Sequence, residues 1–206
     1  MRITICILLI FVISSTYGQI QKDSILKKDI APLVEEMEFM YGYDQVMREY
    51  TTYQTFDKRE TDRIENLADS IKDKEINKRK FVSDTLAIFI FKNYIDPKDA
   101  VHTARIIEIT KKYGFPSLER IRKYYKKDFI DPEFNPYILL VHAPKVHWTE
   151  LKELIKTELV EGRISRCVYG HMLWHFNGRK NMKDLLENGF EMIKENGMTR
   201  LKSTCE

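Results

Sequence analysis

Residues 96–116 read DPKDAVHTARIIEITKKYGFP, and this stretch decides the fold because it signals both ends of one helix. Asp96 can cap the helix, and the proline after it suits a first turn, where no amide hydrogen bond is lost. Gly114 can adopt a left-handed conformation just past the end, and Pro116 prevents the helix from continuing. The pattern therefore predicts a capped helix that ends at Tyr113.

The predicted helix carries a stripe of residues at helical spacing, formed by His102, Ile106, Ile109 and Tyr113. Asp99 projects from the same side, about one turn before His102. A buried carboxylate or imidazole that lacks a partner is energetically costly. We therefore expect both groups to find polar partners in the core, in contact with each other or with a ligand, and the helix to pack centrally.

The first residues resemble a cleavable secretory signal. Arg2 provides a short basic region, and an almost uninterrupted apolar run over residues 3–13 follows it. Small or uncharged residues suit cleavage after Gly18. The apolar run is far shorter than the ~20 residues that a membrane-spanning helix needs. We predict a signal peptide over residues 1–18, a secreted or periplasmic protein, and a single domain over residues 19–206 without a membrane span after cleavage.

The composition is that of an ordinary folded protein. Charged residues make up 32% and hydrophobic residues 43% of the 206 positions, which is not typical of a disordered chain. The formal net charge is only +3. A small net charge and an export signal both argue against nucleic acid as a partner. We therefore expect the partner to be an unknown protein or envelope component.

Helical patterns account for most of the remaining chain. One covers residues 24–50, in which Pro32 is expected to mark the start of the helix after a short turn over residues 24–30. Residues 81–94 are almost continuously apolar, so their length and helical neighbours favour a helix over a strand. Near the C-terminus, Asn196-Gly197 favours a β-hairpin over a final helix. We predict a single all-α domain of six or seven helices with a small C-terminal β-hairpin.

Two cysteines remain after the predicted cleavage, Cys167 and Cys205. In an oxidising compartment they could form a disulfide that tethers the C-terminal tail. Alternatively, Cys167 lies in an apolar helical stretch and serves as a small buried hydrophobic residue. The sequence leaves both alternatives open.

His171 and His175 are four residues apart on a predicted helix, which is a spacing that suits zinc. The glutamate of the metalloprotease helix motif is absent, because methionine follows the first histidine. A third ligand would have to come from His142, His147 or Asp99, and nothing in the sequence brings these together. We therefore predict neither a metal nor another cofactor.

Asp99, His102 and His142 are the candidate catalytic residues. A carboxylate that holds an imidazole in one tautomer is what general-base catalysis requires, although the same contact also occurs as a structural hydrogen bond. Asp44 and Arg48 can pair on one helix face, which we interpret as a surface contact. No nucleophile or phosphate-binding motif is present. The sequence favours a non-catalytic binding module of the cell envelope, with a hydrolase-like enzyme using an Asp/His pair in an inter-helical pocket as the alternative.

Four short motifs resemble those of a bacterial helical family, domain of unknown function 6624. The motifs are Asp44-Gln45, Asp99-Ala-Val-His-Thr-Ala-Arg105, Gly114-Phe-Pro116 and Val141-His142-Ala143. The family's asparagine, tryptophan and glutamine are replaced by His102, Phe115 and Val141, so the chain would be a divergent member. The resemblance covers residues 33–50 and 96–178. It implies an exported or cytosolic all-helical domain and no particular activity.

Overall fold

A computed structural model describes the backbone of residues 2–81, 84–195 and 197–205, and the side chains of residues 21–81, 85–195 and 197–205. The side chains of the predicted signal peptide, residues 1–18, lie outside the described residues. A search of the described residues finds no helix with the length and apolar character that crossing a membrane requires.

The protein is predominantly helical and ends in a two-stranded antiparallel hairpin, which confirms the predicted fold class. The elements in chain order are α1 (Arg2–Tyr53), α2 (Lys58–Glu65), α3 (Asp69–Lys78), α4 (Asp84–Ile90), a π-helical segment (Phe91–Ile95), α5 (Asp96–Tyr113), α6 (Leu118–Tyr124), α7 (Pro136–Val141), a 3-10 segment (Lys145–His147), α8 (Trp148–Val160), α9 (Arg166–Phe176), α10 (Lys183–Leu186), β1 (Phe190–Glu195) and β2 (Met198–Ser203). In the hairpin, Phe190 pairs with Ser203 and Glu195 with Met198. The described residues form more α-helices than the six or seven predicted, and several of these helices are short.

Helix α5 lies at the centre of the core, as predicted. Its residues Ile106, Ile109 and Tyr113 are buried in one cluster with apolar side chains of α1, α7 and α8. Each buried apolar side chain contributes about 1.5–3 kcal/mol relative to exposure. The helix ends at Gly114, whose positive φ of 74° matches the predicted stop.

Two predicted helix starts are wrong. Asp96 does not cap α5, because the π-helical segment leads into it without a break and Ile95 occupies the capping position. Pro32 lies inside α1 rather than at its beginning. A proline inside a helix costs about 3 kcal/mol. The helix continues because Leu26 and Ile30, before the proline, are buried in the same core as the residues after it.

A buried ion pair at the end of α8 is connected by a hydrogen bond to the turn that follows α5. Glu158 and Arg163 are its members, and their side chains are 1% and 3% exposed. Arg163 Nη2 donates to Glu158 Oε1 at 2.8 Å, and the Phe115 amide donates to Glu158 Oε2 at 2.7 Å. A Cβ on Gly114 would lie 2.4 Å from Arg163 Cδ, so the arginine side chain needs a glycine there.

Cys167 and Cys205 form a disulfide, which is the first of the two alternatives left open by the sequence. The bond connects the start of α9 to the chain just beyond β2. Gly189 packs against it with a positive φ of 86°, and a Cβ there would lie 2.7 Å from Cys167 Sγ and 2.8 Å from Cys205 Sγ. The disulfide therefore links the hairpin to α9, and there is no room for a side chain at position 189 beside it.

We expect Gly189→Ala to destabilise the protein more than Gly197→Ala. Gly197 also has a positive φ, 77°, but a Cβ there meets nothing within 4 Å. Backbone strain alone should cost about 1–2 kcal/mol at either position. Overpacking against the disulfide should add about 1–3 kcal/mol at Gly189 alone. Urea unfolding of both variants measures the difference, and equal losses would contradict the close contact.

Candidate functional site

Three helices bring four polar side chains together. Asp44 and Arg48 lie on α1, Asp99 lies in the first turn of α5, and His142 directly follows α7. We call these four residues the polar cluster. The side chain of Asp44 is 2% exposed and that of Asp99 11%, whereas Arg48 and His142 are each 24% exposed. The two carboxylates of the cluster are therefore buried, whereas its arginine and histidine reach solvent.

The Arg48 guanidinium bridges the two carboxylates of the cluster. Its Nε donates to Asp44 Oδ1 at 2.9 Å, and its Nη2 lies 2.7 Å from both carboxylate oxygens of Asp99. The Asp44–Arg48 pair thus forms as its spacing predicts, but its interpretation as a surface contact is wrong. It is partly buried because Asp99 on α5 lies directly against it.

The imidazole of His142 is held by Asp44. Its Nδ1 lies 3.0 Å from the Asp44 carboxylate, which also accepts a hydrogen bond from Gln45 Nε2 at 2.7 Å. An ionised carboxylate favours the tautomer in which Nδ1 carries the proton, and this leaves Nε2 as the proton acceptor. This is the carboxylate–imidazole pair that general-base chemistry requires, and Asp44 supplies its carboxylate.

Two of the three predicted catalytic residues meet in the cluster. Carboxylate oxygens of Asp44 and Asp99 and a ring nitrogen of His142 all lie within 4.8 Å of one another. His102 is buried on α5, as predicted, and its ring packs edge-on against Tyr43 with the centroids 6.0 Å apart.

The expected contact between Asp99 and His102 is wrong. Asp99 instead accepts hydrogen bonds from Arg48, because a guanidinium offers stronger charge-assisted bonds than a neutral imidazole. Within the described part of the chain, no hydrogen bond to the His102 ring is found. Burial lowers the pKa of His102 and favours its neutral form, although the charge of Asp44 opposes this shift.

The two carboxyl groups of the cluster differ in pKa. Burial raises the pKa of Asp99 above its ordinary value, and the hydrogen bonds and charge of Arg48 only partly oppose this. Burial would also raise the pKa of Asp44, but the hydrogen bond and charge of His142, together with Arg48, outweigh it and lower that pKa. Neighbouring acids with pKa values shifted in opposite directions are typical of sites that carry out acid–base chemistry.

The same three groups are compatible in type with a divalent cation. Two carboxylates and an imidazole can ligate such ions, and the ligand atoms of Asp44, Asp99 and His142 are close enough to share one. The Arg48 guanidinium, however, already binds both carboxylates and supplies the positive charge between them. A metal would have to displace it.

His171 and His175 take part in aromatic packing. The rings within about 6 Å of His171 are those of Tyr137, Trp174 and Phe190. His175 Nδ1 accepts a hydrogen bond from Arg179 Nε at 2.9 Å. Burial, and then the charge of Arg179, lower the pKa of His175 to about 4. Neither histidine belongs to a described group of three potential ligands, so their spacing does not form a zinc site with the side chains described.

Asp44 and Arg48 are site residues that the sequence patterns did not predict. Two features of the sequence pointed to them. Asp44 and Arg48 have the i,i+4 spacing of a helical pair, and Asp44-Gln45 resembles a family motif. A local pattern on α1 does not show that α5 and α7 pack against the same face.

Comparisons with models of protein families, with curated proteins and with solved structures found no match to this chain. Membership of domain of unknown function 6624 therefore stays a prediction that rests on the four motifs quoted above.

Proposed function

We propose that the polar cluster is the active site of an exported, hydrolase-like enzyme in which His142 acts as general base. The observation that carries this proposal is the contact between Nδ1 of His142 and the buried carboxylate of Asp44, at a point where the histidine side chain is 24% exposed. The fixed imidazole can take a proton at Nε2 from a water molecule that attacks the substrate.

Asp44 has the role of an orienting anion in this proposal. It stabilises the imidazolium that forms when His142 accepts the proton, without taking the proton itself. Its lowered pKa supports this role, because the carboxylate then stays ionised at neutral pH.

Arg48 and Asp99 form the second half of the proposed site. Asp99 holds the guanidinium through Nη2, and no described residue accepts a hydrogen bond from Nη1. Nη1 is therefore available to bind negative charge that develops on the substrate. Asp99 acts as a positioning residue for Arg48, whereas His102 makes no hydrogen bond with any described residue through which it would act.

Export is part of the proposal. The predicted signal over residues 1–18 supports it, and so does the Cys167–Cys205 disulfide, since disulfides persist mainly in oxidising compartments. We place the protein in the periplasm or outside the cell.

The second candidate is the non-catalytic binding module of the cell envelope that the sequence favours. One observation supports it: Arg48 is engaged by both carboxylates, so the polar cluster can serve to fasten α1, α5 and α7 together. The partner in that case is an unknown protein or envelope component.

An activity screen separates the two candidates. The purified protein is tested with p-nitrophenyl acetate, p-nitrophenyl phosphate and p-nitrophenyl glycosides. We expect turnover of at least one class, reduced about 10²–10⁴-fold in His142→Gln because the general base is lost. His147→Gln removes a histidine of the following 3-10 segment, outside the cluster, and its turnover should stay within about twofold of the unaltered protein.

Circular dichroism and thermal unfolding of each variant exclude loss of the fold as the cause of lost turnover. Failure of the unaltered protein to hydrolyse any of these substrates, or full activity in His142→Gln, would favour the binding module.

A further inference from the structure

A groove with a basic lining lies outside the polar cluster. This groove of ≈ 570 Å³ runs between α8, the end of α9 and the 3-10 segment before α8. Its cationic lining residues are Lys145, Lys152, Arg179 and Lys180, and its rings are Trp148, His175 and Phe176. We call it the basic groove. Burial lowers the pKa of His175, and the charge of Arg179 at this face lowers it further.

The four cations of the basic groove have no acidic partner among the described residues. Lys152 Nζ approaches only the Asn177 side-chain oxygen, at 3.4 Å, and Arg179 Nε donates to His175. Some other exposed cations of the described surface do pair with a carboxylate, as Lys111 does with Glu150 at 2.6 Å.

Lys145 lies at a helix end of like charge. It precedes α8, whose N-terminal end carries a partial positive charge, and no side chain caps that end. A lysine at this end is electrostatically unfavourable, and Glu150 in the first turn of α8 and the nearby Trp148 ring offset this only in part. Cations beyond the C-terminus of α9, by contrast, complement that helix on their own. The groove therefore gathers four cations in one place without a carboxylate among its lining residues.

We propose that the basic groove binds a soluble small molecule that carries two or more phosphate groups. A phosphate group bears about −1.5 to −2 charges at neutral pH, so two of them match the four cations. The Nη atoms of Arg179 offer the paired donors that phosphate oxygens accept, and the lysines supply point charges. A volume of ≈ 570 Å³ suits a small molecule rather than a protein surface.

Aromatic side chains add an apolar wall for the rest of the ligand. Trp148 and Phe176 line the groove, and their ring centroids are 6.2 Å apart. Lys145 Nζ lies 5.7 Å from the Trp148 ring centroid, so a phosphate bound by this lysine would lie next to the indole. The proposal does not depend on catalysis by the polar cluster, since neither Asp44 nor Asp99 lines the groove.

Calorimetric titration with pyrophosphate tests the proposal, with citrate as a carboxylate probe at the same ionic strength. We expect saturable binding of pyrophosphate that is tighter than that of citrate. Arg179→Gln and Lys145→Gln should each weaken pyrophosphate binding about tenfold or more, because each removes a charged contact.

The matched control is the double variant Arg122→Gln/Lys126→Gln. It removes two cations from a second groove, which is also lined by Lys127 but contains Asp128. Pyrophosphate affinity should change by less than about twofold there. An equal loss in this control, no saturable binding of pyrophosphate, or equally tight binding of citrate would overturn the proposal. Binding only to vesicles of phosphatidylglycerol would also overturn it, since the ligand would then be a membrane surface.

A second readout follows the ring of His175 by NMR. Bound pyrophosphate places negative charge beside Arg179, and this should raise the pKa of His175 from about 4 towards its ordinary value of 6.5. A pKa that does not change at saturating pyrophosphate would place the anion elsewhere and contradict the assignment.

Discussion

Glu158→Gln should lower the free energy of unfolding by about 3–5 kcal/mol, because it leaves the charge of a buried arginine without its main partner. Arg163 is 3% exposed, and among the described carboxylates only that of Glu161 also lies within ion-pair distance of it, 3.6 Å from Nη1. The glutamine also weakens the hydrogen bond from the Phe115 amide. Urea unfolding at neutral pH measures the loss.

Glu150→Gln is the control for this prediction. Glu150 lies on the same helix and pairs with Lys111 at 2.6 Å, but both side chains are about half exposed. An exposed ion pair contributes about 0–1 kcal/mol, so the control should be nearly neutral. If the two variants lose similar stability, the Glu158–Arg163 pair is not the buried connection described above.

Asp44→Asn should have a comparable effect, about 3–5 kcal/mol, because Asp44 is the common acceptor of the polar cluster. Its carboxylate accepts from Gln45 and Arg48 and holds His142. An asparagine amide has one acceptor oxygen, and its NH₂ group would face a donor. Asp62→Asn is the control, since Asp62 and Lys58 form an exposed pair with the same i,i+4 spacing.

The Asp44 variant should also respond differently to acid. The pKa of Asp44 is lowered in the folded protein, so the folded state binds this proton less readily than the unfolded state does. The resulting stability is present above the ordinary value of 3.8 and is lost as the pH falls through the lowered folded pKa. Asp99 has the opposite shift and offsets part of this loss.

Urea unfolding at pH 7, 5, 4 and 3 therefore gives a steeper acid loss for the unaltered protein than for Asp44→Asn. Parallel curves would contradict the assigned role of Asp44.

Sequence periodicity predicted what depends on local patterns. The apolar face of α5, its end at Gly114 and the C-terminal hairpin follow from spacing and turn residues, and the structure confirms all three. The errors at Pro32 and Asp96 have one cause. Burial of Leu26 and entry through the π-helical segment are tertiary effects that override local helix signals.

The candidate site was predictable only in part, for the same reason. Asp99 and His142 could be singled out because a polar group in an apolar stretch needs a partner. The identity of that partner depends on which helices cross. Asp44 and Arg48 lie more than forty residues away in the chain from either candidate, and only the packing of α1 against α5 and α7 joins them.

The disulfide has a consequence for the unfolded chain. Its cysteines are separated by 38 positions, and the segment between them contains α9, α10, the hairpin, and Arg179 and Lys180 of the basic groove. In an oxidising compartment, unfolding cannot make this segment linear, because a covalent ring remains. Closing a ring of that size removes chain entropy worth about 4 kcal/mol from the denatured ensemble. Heat or denaturant would thus produce a looped polypeptide, in which Cys205 stays covalently linked to the residues that form the start of α9 in the folded protein.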